Sequence, residues 1–248
     1  MSTPRLRKIP TQDRIVSIKD ARVKMSPVER ETFQKQSYRK LRDALMKGRF
    51  MPGDTVSLRG LARELGTSPM PIREAVRHLV AEKALELKQN RTFSVPVMTR
   101  AKLDELRTLR VILEGSVAEK AGNKISEADL IEMHGLQDEM KSAVFRGDAK
   151  RYLTKNQDFH FLLYKSAGMS FAVDIIETLW LQIGPSFNFL LLGKQSGKHS
   201  STPDTSFLTL HHDALLKALE RRNPVAVRLA LEHDINDGMD FLTRQTKS

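Results

Sequence analysis

The stretch Arg59–Val80, Arg-Gly-Leu-Ala-Arg-Glu-Leu-Gly-Thr-Ser-Pro-Met-Pro-Ile-Arg-Glu-Ala-Val-Arg-His-Leu-Val, limits what this chain can fold into more than any other. It reads as two helices joined by a tight turn. The first places Leu58, Leu61, Ala62 and Leu65 at helical spacing. Gly66 supplies a left-handed residue that ends a helix at low cost. Ser68 is placed as an N-cap, and Pro69 takes the first helical position, where a missing N–H costs nothing. The second helix carries Ile72, Ala75, Val76, Leu79 and Val80 on one face and Met70, Arg73 and Arg77 on the other. This is the layout of a helix-turn-helix, whose second helix enters the DNA major groove by its N-terminal residues. The competing reading is a helical hairpin with a solvated basic face.

Charge separates the two readings. Residues 1–100 hold 22 Lys/Arg against 10 Asp/Glu, a net of +12, while residues 101–248 hold 19 against 20. A basic module that neutralises phosphates, joined to a neutral module, accounts for that split; a general solubility requirement does not. The chain has no cysteine, which removes disulfides and thiolate chemistry and fits a reducing cytoplasm. No apolar run approaches the roughly 20 residues that span a bilayer, and the N-terminus lacks the apolar stretch of a secretory signal. A cytoplasmic protein without a membrane partner is expected.

Residues 1–31 read as a basic flexible arm with eight Lys/Arg. A helix is expected at 32–48, with Phe33, Tyr38, Leu41, Leu45 and Met46 inward, followed by a Pro-Gly turn through Arg49–Ser57. Beyond the recognition helix, Leu87, Phe93, Val95 and Val97 flank the polar group Gln89-Asn90-Arg91-Thr92. This predicts a β-hairpin wing with a polar, basic tip.

Leu41-Arg42, Gly48, Pro52-Gly53, Leu61-Ala62, Leu65-Gly66, Ser68, Pro71-Ile72-Arg73-Glu74-Ala75 and Asn90-Arg91 follow one another in an order and spacing that resemble the GntR family of bacterial transcription regulators. The resemblance implies a winged helix-turn-helix over 32–98. Arg59, Ser68, Pro69, Met70 and Arg73 would face DNA, with Asn90, Arg91 and Thr92 at the wing tip. Pro69 and Thr92 replace the Arg and Gly that many members carry there, so base preference does not transfer.

The second half, 102–244, reads as all helix. Segments are expected at 102–121, 126–147 and 148–167, then from Ser170 to a break at Pro185, at 204–221, and from Pro224 to about Thr243. Gly193–Pro203 is a looser polar stretch. An antiparallel bundle of about six helices is the natural packing. The fold class is thus mainly α, a winged helix followed by a helical bundle. Within the bundle, Asn156 and His160 share a helix face, His212 keeps the spacing of Leu208, Leu215, Leu216 and Leu219, and His233 falls with Leu229 and Ala230. Three inward histidines and one oxygen ligand would make a divalent-metal site for Zn, Ni or Mn; three separately satisfied core histidines are the other reading.

Asn156–Gly168, His211–Leu219, Ala226–His233 and Arg110–Glu114 resemble the FCD effector domain of the FadR subfamily, over about 103–243. That resemblance implies a metal held by Asn156, His160, His212 and His233, with a small carboxylate effector completing the coordination. Asn156 stands where Asp is commoner, which weakens the site. Arg110 is a candidate partner for the carboxylate, or an ion-pair partner of Glu114 one turn on. The expected function is a homodimeric transcription regulator, a repressor, that binds a palindromic operator and responds to a small organic acid. The alternative is a metal-dependent enzyme fused to a DNA-binding arm, against which stands the lack of a general base beside the histidines.

Overall fold

The helix-turn-helix expected from Arg59–Val80 is present in the computed structural model, which describes residues 33–89, 92–189 and 207–246. α1 (Phe33–Met46) precedes α2 (Leu58–Glu64) and α3 (Pro69–Ala81). Leu41 and Leu45 of α1 meet Leu61, Ala62, Ile72, Ala75, Val76 and Leu79 in one core. Ile72, Ala75, Val76 and Leu79 are fully buried. Gly66 turns the chain at φ 63°, the left-handed conformation expected of it. Phe33 differs from expectation: it is 69% exposed. It occupies the first position of α1, about two turns before Leu41, and so lies past the edge of the core.

Three short strands complete the winged helix. β1 (Thr55–Val56), β2 (Glu86–Leu87) and β3 (Phe93–Ser94) form an antiparallel sheet in the order β1-β3-β2, with Val56 opposite Phe93 and Glu86 opposite Ser94. The wing was expected as a two-stranded hairpin, and β1 adds a third strand from the Pro-Gly segment. Two residues are too few to show alternation in sequence. Leu87 and Val97, apolar in the strand pattern, are exposed. The arm at 1–31 and the stretch Gly193–Pro203 lie outside the described residues.

The rest is helical: α4 (Arg100–Gly122), α5 (Glu127–Arg146), α6 (Ala149–Ser166), α7 (Ser170–Ile183), α8 (Phe207–Glu220) and α9 (Pro224–Gln245). Local chemistry fixes the boundaries. Ser126 and Asp129 form a capping box at the start of α5, and Gly147 ends that helix at φ 68°. Pro185 stops α7, and the chain tightens into a 3-10 turn, Gly184–Asn188. α4 packs along α9, α5 along α6, and α8 along α9. α1 rests on α7 and the 3-10 turn, so the winged helix and the bundle belong to one compact unit.

Candidate functional site

The outer face of the winged helix carries Arg59, Ser68, Pro69, Met70 and Arg73, all exposed. Among the described residues no carboxylate pairs with Arg59 or Arg73. Arg77, on the same face, is held by Glu74 at 2.8 Å. Met70 is 67% exposed at the first turn of the recognition helix, an apolar side chain kept in water by its place beside the turn. Ser68 is the N-cap residue of α3, yet its side chain makes no capping bond. Thr92 is half-buried, and its carbonyl accepts from the Lys88 N–H at 2.8 Å. Asn90 and Arg91 lie outside the described residues.

A second polar group is buried in the bundle. α6 contributes His160, α8 His212 and α9 Asp234. The two Nε2 atoms stand 3.3 Å apart. Asp234 reaches His160 Nε2 at 3.4 Å and His212 Nε2 at 3.5 Å. Neighbouring hydrogen bonds assign both imidazole tautomers. Tyr164 Oη donates to Glu114 at 2.6 Å, so it accepts from His160 Nδ1 at 3.3 Å. Gln137 uses its amide N–H groups on the Thr209 carbonyl and on Asp213, so its oxygen accepts from His212 Nδ1 at 3.2 Å. Each Nε2 therefore presents a lone pair to the other and to Asp234. Three acceptors facing one point repel unless a cation or proton stands between them. A tetrahedral ion with bonds of about 2.0–2.1 Å sets its ligand atoms roughly 3.3–3.4 Å apart, which fits the spacing found.

The surroundings favour neutral imidazoles. Burial holds the His160 pKa well below its usual value, and His212 and Arg110 add to the effect. Burial also lowers His212, against the pull of Asp234, and raises the Asp234 carboxyl. Two neutral nitrogens with fixed outer partners are what a divalent cation requires.

Arg110 closes one side of the group. Its Nε and Nη2 donate to the two oxygens of Glu114 at 2.7 and 3.1 Å, both residues being buried. Burial lowers the guanidinium pKa, but Glu114, Tyr164 and Asp234 outweigh it and raise the pKa. Of the two roles open to Arg110, the structure fills the ion pair, and among the described residues Nη1 has only the Met239 sulfur, at 4.0 Å. The guanidinium lies 5.0 Å from the Trp180 ring centre and 5.6 Å from that of Phe187. Arg110, Tyr152, Asn156, His160, Trp180 and Asp234 share a cavity of about 30 Å³. That is room for roughly two waters.

Two sequence-based ligand assignments differ from this geometry. His233 is exposed, with its ring 6.0 Å from that of His211, and Asp234 takes the inward place. The buried face of α9 runs through Val227, Ala230, Leu231, Ile235 and Met239, which contains position 234 and turns 233 outward. Leu229, the residue used to orient His233, is 49% exposed. Asn156 lines the cavity one turn before His160, outside the cluster of His160, His212 and Asp234. Its oxygen lies 3.4 Å from the Tyr152 hydroxyl. Gln137 and Tyr164, which orient the ring nitrogens, are missing from the sequence-based assignments, and Glu114 enters there only as an ion-pair partner of Arg110, not as the acceptor that fixes Tyr164. Each is a polar residue on an otherwise apolar helix face, and that was the available signal.

Comparison with known proteins bears on both sites. The pattern described as "Bacterial regulatory proteins, gntR family" matches residues 33–95, and that of the FCD domain matches 105–237. The chain is 31% identical to the HTH-type transcriptional regulator McbR of Escherichia coli (strain K12), over 60% of this chain and 68% of McbR. It is 23% identical to the gluconate operon transcriptional repressor of Bacillus licheniformis, over 79% of each. The solved structure of E. coli McbR/YncC superposes with a TM-score of 0.78 at 26% identity, covering 87% of this chain and 99% of that one. These relatives and both family matches are transcription regulators, which removes the metal-dependent enzyme as an alternative. No helix among the described residues is long and apolar enough to cross a membrane. The chain belongs to the GntR family of bacterial regulatory proteins: it is a transcription regulator with a winged-helix DNA-binding domain followed by an FCD domain.

Proposed function

We propose that this regulator is a homodimeric repressor whose affinity for a palindromic operator is set by a small organic anion, bound beside a divalent cation in the FCD domain. His160, His212 and Asp234 would hold the cation, with Asn156 at the cavity wall. Zn suits two imidazoles and a carboxylate at tetrahedral spacing, and Ni and Mn are the other candidates. The observation that carries the reading is the convergence of three lone pairs on one point, each ring nitrogen oriented by a hydrogen bond behind it. Arg110 would supply Nη1 to the anion, and the cavity, with room for about two waters, would have to widen to admit it. Arg59, Ser68, Pro69, Met70 and Arg73 form the DNA-facing surface, with the wing tip at Asn90 to Thr92. Two-fold operators require two-fold proteins, which supports the dimer. The repressor named among the relatives supports the sign of regulation.

The test is metal uptake together with operator affinity. Protein stripped with chelator and reloaded with Zn should bind about one ion per chain. The double variant His160→Ala, His212→Ala should lose at least about a hundredfold in metal affinity yet bind unliganded operator as before. Coupling between the sites should change operator affinity by about 5–150-fold. Wild-type protein that takes up neither Zn, Ni nor Mn would remove the cation from this reading.

A further inference from the structure

Among the described residues, the cavity and the winged helix meet at the 3-10 turn Gly184–Asn188 and along α7. Phe187 faces the cavity: it is among the lining residues, its ring centre lies 5.5 Å from that of Trp180, and the Arg110 guanidinium lies 5.6 Å from it. The next residue, Asn188, faces the DNA-binding domain. Its amide nitrogen reaches the carbonyl oxygens of Gly48 at 2.7 Å and Phe50 at 2.9 Å, which follow α1, and that of Pro185 at 3.1 Å. At the other end of the turn, a Cβ on Gly184 would stand 2.6 Å from the Leu45 carbonyl oxygen and 2.7 Å from Met46 Cα. The turn is pressed against the backbone of α1 with no room for a side chain. α1 in turn packs on the recognition helix α3 through Leu41 and Leu45. A second tie runs parallel. Glu177 of α7 accepts from Arg42 of α1 at 2.5 Å, one turn before Trp180 on the same helix.

We infer that the turn Gly184–Asn188 couples the ligand cavity to the DNA-binding domain, with Gly184 and Asn188 as the positioning residues of the winged helix. The inference rests on the cavity being the effector site. In a 3-10 turn, consecutive side chains point about 120° apart with a rise of about 2.0 Å. Phe187 therefore cannot shift against an occupied cavity without carrying Asn188. Because Asn188 holds the carbonyls after α1, the displacement reaches the base of α3. Coupling is reciprocal in binding free energy; carried through this turn, operator binding moves Phe187 against Trp180, the only tryptophan in the chain.

The experiment uses the full chain, Zn as the probe ligand, and an operator duplex selected in vitro from random DNA. Wild type, Asn188→Ala and Gly184→Ala are compared for Zn affinity, operator affinity with and without Zn, and Trp180 emission on adding operator. Asn188→Ala should bind Zn within about twofold of wild type; Gly184→Ala, whose Cβ would press on the α1 backbone at Leu45 and Met46, should shift operator affinity even without Zn. The effect of Zn on operator affinity should fall from at least fivefold to under twofold, and the emission response to operator should vanish. Asn188→Ala introduces no clash, so it carries the test if Gly184→Ala fails to fold by circular dichroism. Variants that keep both responses overturn the inference. If wild type binds no Zn, the cation reading fails on its own. The emission arm then decides: a response present in wild type and lost in Asn188→Ala supports the coupling, while one absent from wild type or kept in the variant overturns it.

Discussion

Arginine serves the two domains in opposite states. On the winged helix, Arg59 and Arg73 stand in water without a carboxylate among the described residues. In the bundle, Arg110 is buried and held by both oxygens of Glu114, which itself accepts from Tyr164. A surface that must meet phosphates gains from charge that is free to move and be neutralised by its partner. A cavity that must hold a small ligand gains from charge already fixed by neighbours, because nothing then has to be reordered on binding. The same contrast runs through the other polar groups. The Ser68 side chain makes no bond to its own helix, whereas Gln137 is fixed by its amide N–H groups on the Thr209 carbonyl and Asp213 and so holds its oxygen on His212.

Breaking one ion pair in each domain should expose the difference most. Glu114→Ala leaves the buried Arg110 guanidinium without its counter-charge and should cost about 3–5 kcal/mol. Glu74→Ala removes the partner of exposed Arg77 and should stay within about 0.5 kcal/mol. Urea unfolding of both variants measures the gap; similar losses would show that the bundle pair is better hydrated than its burial implies.

Acid should separate the domains next. His160 and His212 have depressed pKa values in the folded chain. Below the unfolded histidine value, near 6.5, the unfolded chain takes up protons that these rings refuse. Stability is therefore full above that pH and is lost as pH falls toward the folded values, by up to about 1.4 kcal/mol per unit for each ring. Asp234, raised by burial, works the other way: the folded state takes its proton earlier on descent and offsets part of the loss. Metal-free protein should thus melt lower at pH 5.5 than at 7.5, and the double variant His160→Ala, His212→Ala should show a flatter profile. A wild-type profile as flat as the variant's would mean that the rings are protonated in the fold.

How far each region could be read from sequence follows the same division. The recognition surface depends on local pattern, with Gly66 at the turn, Pro69 at the first helical position and an apolar face through Ile72, Ala75, Val76 and Leu79. Nothing beyond 22 consecutive residues was needed to place Arg59 and Arg73 outside. The cavity depends on the register of three helices from distant parts of the chain. His160 and His212 could be placed because strongly apolar neighbours fix their faces. α9 is amphipathic over a broader arc, and a frame set on Leu229 puts His233 inward where the structure puts Asp234. The strand β1 went unseen because its order comes from pairing with β3, a contact some forty residues away.

Arg73→Ala tests the exposed side of the comparison by itself. Among the described residues the Arg73 side chain has no hydrogen-bond or ion-pair partner, so stability should hold within about 0.5 kcal/mol. Operator affinity should fall about tenfold or more, within the ~1–3 kcal/mol of a bidentate base contact. A gel-shift titration at fixed salt checks this, and unchanged affinity would take Arg73 off the DNA-facing surface.

Two serines provide the finest comparison, since both occupy N-cap positions with extended backbone. Ser126 accepts from the Asp129 N–H and completes a capping box. Ser68 makes no such bond. Ser126→Ala should therefore cost about 1 kcal/mol, while Ser68→Ala should cost well under half of that, there being no capping bond to lose. The order should reverse in operator binding. Ser68 sits at the start of the recognition helix, where the unpaired backbone N–H groups favour a phosphate. Its hydroxyl can join that contact, and its loss should weaken the operator complex severalfold; Ser126, at the start of α5 in the bundle, should leave it unchanged. Thermal melts and gel shifts on the two variants give four numbers, and a stability loss at Ser68 equal to that at Ser126 would mean that its hydroxyl caps α3 in solution and is not held for DNA.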